Sequence, residues 1–203
     1  WRQFVTMNQQ AVADKQAIYL HQGYSDYLIL NLDNEKQTDT PAGAVDSNGR
    51  RLYFSRNSGG SACVYIDSGT IRYGFDGLTG DICRLEEVGM RGAHNIGNVL
   101  AACTAAVVLG IDSQKVREAV MNFRGAPHRL ELVREIGGIR FYNDTAATTP
   151  EAGLAGINSF SEDVCLIAGG SNKNLDLRAF AEGIAGADTI KGVFLLDGAA
   201  TSG

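Results

Sequence analysis

Residues 139–174 read IRFYNDTAATTPEAGLAGINSFSEDVCLIAGGSNKN. Two apolar runs of strand length, Ile139–Asn143 and Val164–Ala168, flank Pro150–Ile157, where proline stands at the first position of a helix. Strand, helix and strand in this spacing predict a βαβ unit, which belongs to a parallel sheet. Outward from it, Glu131–Glu135 reads as a strand before the unit. Leu177–Ile184, with Asp176 as candidate cap, and Gly192–Leu196 read as the next helix and strand after it. The expectation is an α/β chain whose residues 126–203 begin a Rossmann-like domain.

Upstream the pattern changes at Gly125-Ala126-Pro127, a break that marks a domain boundary and a hinge. Before it, Asp112 or Ser113 caps a helix with Val116, Ala119, Val120 and Phe123 on one stripe. His94–Leu109 is an amphipathic helix with Ile96, Val99, Leu100, Cys103 and Val107 at spacings of three and four, stopped by Gly110. Residues 50–75 alternate in polarity around Asp67-Ser68-Gly69 and predict a small antiparallel hairpin region. Tyr27–Leu32 reads as a buried parallel strand, and Ala11–His21 as a helix ended by Gly23.

Composition narrows the function classes. A formal net charge of −5, with 18 Lys and Arg scattered along the chain, lacks the basic stripe that nucleic acid requires. The apolar stretch Val99–Ile111 is too short for a bilayer, so no membrane insertion is expected. Cys63, Cys83, Cys103 and Cys165 form no CxxC pair and sit in apolar patterns, which predicts buried, reduced thiols in a cytoplasmic protein. The chain opens at Trp1 almost inside a helix pattern and stops just past a strand, so both ends are read as cuts in a longer protein.

Four polar insertions interrupt the apolar pattern. HNIGN (94–98) sets Asn95 and Asn98 three apart on one face of a helix start. Their amides pair a donor with an acceptor, which suits an adenine edge and equally an ordinary helix cap. GAPHRLE (125–131) brings His128 and Arg129, and NDTAAT (143–148) brings Asp144 at a strand end and Thr148 near a helix start. A guanidinium fork suits phosphate and a strand-end carboxylate suits ribose hydroxyls, while a surface ion pair explains either residue as well. AGGSNKN (168–174) places Lys173 in a loop after a strand. Thr148 and Lys173 thus project from the carboxyl ends of strands in one sheet, where they can hold the carboxylates of a small acid; a turn with a solvated lysine is the plainer reading. Lys15, between Asp14 and Gln16, reads by itself as a snorkelling surface lysine. Neither a GxxxxGK[ST] phosphate loop nor GxGxxG is present.

Taken in order, ADKQAIY, LILNLDN, GAHNIGNVLAA, GAPHRLELV, FYNDTAATTP and LIAGGSNKNLDL resemble the Mur ligases, the ATP-dependent amide-forming family of peptidoglycan synthesis. The resemblance implies that residues 1–125 are the later part of a central ATP-binding domain and 126–203 the first part of the C-terminal domain. A UDP-sugar-binding domain, the phosphate loop, and the Glu and His that hold Mg²⁺ would precede Trp1, leaving these 203 residues inactive alone. It further implies that Lys15 is carbamylated by CO₂, becoming an anionic oxygen ligand for Mg²⁺. Asn95 and Asn98 would meet adenine, Arg129 phosphate and Asp144 ribose, while Thr148 and Lys173 would hold D-glutamate, Lys173 also acting in catalysis. ATP would phosphorylate the carboxylate of UDP-N-acetylmuramoyl-L-alanine, and the D-glutamate amine would displace phosphate from the acyl phosphate, with domain closure excluding water. A cytoplasmic monomer is expected. Ala146 and Thr145 depart from the Lys and Ser common in the family, which bears on glutamate recognition. The competing readings are a ligase adding another amino acid, a folylpolyglutamate synthetase-like enzyme, and a non-catalytic nucleotide-binding module.

Overall fold

The computed structural model describes residues 21–33, 48–57, 59–171 and 175–198. The chain is a mixed α/β protein that divides into two compact units, residues 1–88 with 97–121, and residues 89–96 with 122–203. The expected helix Ala11–His21 lies, His21 apart, outside the described residues, as do Lys15 and Lys173.

The first unit is built on a five-stranded sheet in the order β1 (Tyr27–Asn31), β2 (Arg50–Ser55), β3 (Val64–Asp67), β4 (Thr70–Phe75), β5 (Leu78–Arg84). β2 lies parallel to both β1 and β3, so the expectation of an antiparallel region over 50–75 holds only from β3 onward. Two-residue turns at Ser68-Gly69 and Asp76-Gly77, all at positive φ, close the β3–β4 and β4–β5 hairpins. This backbone twist matches that of the flanking strands, and it favours Gly at the second turn position. Alternate residues Leu52 and Phe54 are buried, as the period of a strand requires.

Two helices follow, α1 (Ala93–Val108) and α2 (Ser113–Asn122). On α1 the buried stripe is Val99, Leu100, Cys103 and Thr104, with the Thr104 hydroxyl donating to the Leu100 carbonyl at 2.8 Å. The helix ends as predicted at Gly110, whose φ of 70° lets its N–H reach Val107 O and that of Ile111 reach Ala106 O. Asp112 caps α2 by accepting from Gln114 N at 3.0 Å. The α2 stripe is narrower than expected: Val116 is buried, whereas Phe123 lies beyond the helix and is exposed.

In the second unit β6 (Glu131–Ile136) and β7 (Ile139–Asn143) form an antiparallel ribbon of their own. Gly137-Gly138, at φ 57° and 80°, makes a two-residue turn, so these strands do not join the parallel sheet expected for them. The parallel pair is β8 (Val164–Ala168) with β9 (Ile190–Leu195). α3 (Pro150–Ile157) precedes that pair and α4 (Arg178–Ala185) connects its strands. α3 and α4 approach closely through small residues, a Cβ at Gly153 falling 2.7 Å from the Phe180 ring. Leu177, not Asp176, is the α4 N-cap, although the Asp176 carboxylate accepts from Arg178 N at 3.0 Å. Cys165 is exposed on β8, contrary to the expectation that all four thiols are buried. No helix among the described residues is long and apolar enough to cross a membrane.

Candidate functional site

The antiparallel ribbon brings two of the sequence motifs together. Glu131 opens β6 and pairs with Asn143, which closes β7, so the loop 125–130 entering the ribbon meets the loop 144–149 leaving it. Asp144 Oδ1 accepts from Leu130 N at 3.0 Å, and Ala146 N donates to His128 O at 3.0 Å. The Asn143 amide bonds His128 Nδ1 at 2.9 Å, and Glu131 Oε2 accepts from His128 N at 2.8 Å. A parallel βαβ arrangement would not have joined residues 128–131 to 143–146 in this way.

These cross-links hold a backbone that resists its own conformation. His128 and Leu130 adopt φ of 65° and 45°, and they flank Arg129. Left-handed non-glycine residues cost on the order of 1–3 kcal/mol each and persist where surrounding contacts over-determine them. Arg129, exposed between them, makes no ion pair among the described residues. Asp144 is half-buried and its other oxygen faces α3, where a Cβ at Gly156 would stand 2.6 Å away. The ion-pair reading of Arg129 and Asp144 therefore gives way to a carboxylate that bonds the strained loop at Leu130 N and packs against a helix.

The leaving loop prepares α3. Asn143 Oδ1 accepts from Thr145 N at 3.1 Å, and Thr149 Oγ1 accepts from Ala152 N at 3.3 Å, capping the helix that Pro150 begins. Thr148 is exposed beside that cap. Thr148 and the loop of Lys173 do not follow strands of one sheet, since β7 belongs to the ribbon and β8 to the parallel pair. In the second loop Gly169 is approached by the chain itself, a Cβ there falling 2.8 Å from the Leu196 Cβ, whereas Gly170 faces open space.

Asn95 is buried at the third position of α1, and its Nδ2 donates to Arg91 O at 2.7 Å. A capping residue stands just ahead of the helix, whereas Asn95 lies inside it and its amino group donates to a carbonyl one turn back. Asn98 is exposed one turn further on, within the part of α1 grouped with the first unit. Sequence reasoning missed Arg91. Its guanidinium is bidentate to Glu162 at 3.0 Å on both arms and lies 5.9 Å and 5.6 Å from the Tyr142 and Phe160 ring centroids. Arg140 also donates to Glu162, at 2.6 Å. The Arg91 hydrogen bonds first, then that of Arg140, hold the Glu162 carboxyl down to about 2. The only signal in the sequence is that Arg91 immediately precedes GAHN. Among the described residues no group of three or more His, Cys, Asp or Glu is arranged to hold a metal ion.

No family model matches the chain. It is 37% identical over 169 residues to the UDP-N-acetylmuramoylalanine–D-glutamate ligase of Pelotomaculum thermopropionicum, covering 83% of this chain and 36% of that protein. The enzyme of the same name from Acidobacterium capsulatum is 39% identical over 191 residues, covering 93% of this chain and 40% of that one. The chain thus spans well under half the length of these relatives. Among solved structures, MurF ligase from Thermotoga maritima in complex with ADP aligns over 93% of this chain and 44% of its own, with TM-score 0.63 and 18% identity. MurF from Acinetobacter baumannii gives TM-score 0.62 at 16% identity, over 89% of this chain and 45% of its own. The structural likeness carries the fold.

Proposed function

We propose that this chain, a homologue of the Mur ligases over most of its length, supplies part of the ATP and amino-acid sites of a ligase that adds D-glutamate to UDP-N-acetylmuramoyl-L-alanine. The observation that carries the reading is the Arg129 loop: an exposed guanidinium held between two left-handed residues by four hydrogen bonds from the neighbouring motif and strand. Strain kept in place at an exposed cation marks a group preorganised for an anion, and a planar fork matches the oxygens of a phosphate. The relatives' name supplies the acceptor and the amino acid, and the ADP in the Thermotoga maritima structure supports a nucleotide.

In this reading Arg129 binds nucleotide phosphate and Asn95 and Asn98 meet the adenine. Asp144, with one oxygen engaged by Leu130 N and the other against Gly156 of α3, is the residue assigned to the ribose. Thr148, and Lys173 outside the described residues, hold D-glutamate. Phosphoryl transfer to the terminal carboxylate of the UDP-linked substrate gives an acyl phosphate; attack by the D-glutamate amine forms the amide and releases phosphate. The protein's part in both steps is positioning and charge stabilisation. The described residues do not fit Mg²⁺, since they offer it no carboxylate cluster. Lys15, as a carbamate, is this chain's candidate ligand for that ion.

Phosphate release by the full-length ligase tests the reading. ADP formation is expected only when UDP-N-acetylmuramoyl-L-alanine and D-glutamate are both present, and Arg129→Ala should lower kcat/KM for ATP by about 100-fold, the scale of losing a charge-stabilising donor. Turnover with L-lysine or L-glutamate in place of D-glutamate would reassign the acceptor. Nucleotide binding without turnover would make the chain a binding module.

A further inference from the structure

The segment Arg91–Asn95 is fastened to the rest of the second unit at two points. The Arg91 guanidinium grips Glu162 with two hydrogen bonds and rests against the edge-to-face pair of Tyr142 and Phe160, whose centroids are 5.0 Å apart. One residue on, Gly92 is packed so tightly that a Cβ would lie 2.5 Å from Ser159 Oγ, and its φ of 93° is open to glycine. Between these anchors and α1, the Arg91 carbonyl receives Asn95 Nδ2, and the Gly92 carbonyl receives the N–H groups of Asn95 and Ile96.

A buried amide has two faces of opposite hydrogen-bonding sense, and its partner decides which way it turns. Arg91 O holds the amino group of Asn95 backward along the chain and so fixes the sense in which the amide is turned. We infer that Arg91 is a positioning residue for nucleotide binding: clamped by Glu162, Tyr142 and Phe160, it fixes the carbonyl that orients the Asn95 amide toward the adenine. The inference rests on the proposed adenine role of Asn95. It assigns a task to an arginine whose bidentate fork a lysine cannot reproduce.

The test compares Arg91→Ala, Arg91→Lys, Glu162→Gln and Asn95→Ala in the full-length ligase, measuring KM for ATP, KM for D-glutamate, kcat and the unfolding midpoint. Arg91→Ala should raise KM for ATP about fivefold to tenfold, with kcat and KM for D-glutamate within about twofold, as expected for lost ground-state binding. Arg91→Lys should recover part of the loss, and Glu162→Gln should shift KM for ATP the same way by less. Combining Arg91→Ala with Asn95→Ala should add little to Asn95→Ala alone, since both act through one amide. If Asn95→Ala raises KM for ATP and the Arg91 and Glu162 variants do not, the inference fails while the nucleotide reading stands. Should Asn95→Ala itself leave KM for ATP unchanged, both fall. A parallel loss in every parameter that tracks the unfolding midpoint reduces Arg91 to a structural residue and overturns the inference.

Discussion

The two compact units are held by different forces. In the first, Val64, Ile71, Leu100 and Cys103 are almost fully withdrawn from water. In the second, Leu130 and Ile157 are the buried hydrophobic side chains among the described residues, and Val133, Ile139 and Phe141 of the ribbon are exposed. What defines the loops there is polar: one carboxylate on Leu130 N, one amide on His128, and one glutamate shared by two arginines. Apolar burial is non-directional and tolerates small shifts, whereas hydrogen bonds specify atoms. A scaffold is served by the first kind of cohesion, and a binding loop that must hold a strained arginine by the second.

The contrast can be broken at its strongest point. Leu100→Ala should cost about 2–5 kcal/mol, the range for truncating a fully buried leucine. Segment-resolved hydrogen exchange should then show lost protection in residues 97–121 and the sheet, with the loops 125–131 and 143–149 little changed. Equal loss in both would mean one cooperative core. Next in size, Asp144→Ala strands the N–H of Leu130 and should cost about 1–3 kcal/mol, with protection lost first in the two loops and KM for ATP raised. Gly156→Ala, which pushes on the same carboxylate, should reproduce part of this. Asp144→Ala leaving loop exchange unchanged would remove the carboxylate from the brace.

The smallest effect is a pH dependence. Glu162 is held from an ordinary 4.5 down to about 2 by Arg91 and Arg140. Its folded value lies below its unfolded one, so the stabilisation is complete above about pH 4.5 and is lost as pH falls toward about 2. The stability gap between the wild type and Glu162→Gln should therefore be constant near neutrality and close over that acid window. In the first unit burial pushes the Cys103 thiol up to about 12, far from that window, while Asp76 beside Arg50, and Glu87 bonded to Arg84 N and Arg117, are carboxyls held below their ordinary values there. A gap independent of pH would exclude the ion pair as its source.

Much of the chain was legible residue by residue. Pro150 at the start of α3, Gly110 past the end of α1 and Asp112 before α2 are local signals, each acting through its own φ or its own side chain on the nearest backbone groups. The order of the polar motifs was legible too, and it led to the family. The ribbon is not legible in its strands, because Ile139–Asn143 has the composition of a strand in either orientation; the local signal for it is the Gly137-Gly138 turn. Arg91 was invisible because its partners lie 51, 69 and 71 residues away, at Tyr142, Phe160 and Glu162, and nothing in an isolated arginine names its carboxylate.

The sequence alone determined where α1 stops and where α2 and α3 begin, and which polar groups interrupt the apolar pattern, because those choices depend on φ preferences, caps and hydrophobic periods within a few residues. The tertiary structure decided the pairing: β2 parallel to its neighbours, β6 antiparallel to β7, Asp144 on Leu130, and Arg91 on Glu162. Backbone donors and acceptors lie along both edges of any strand and accept a partner running in either direction. Which partner arrives is therefore settled only when the whole chain closes on itself.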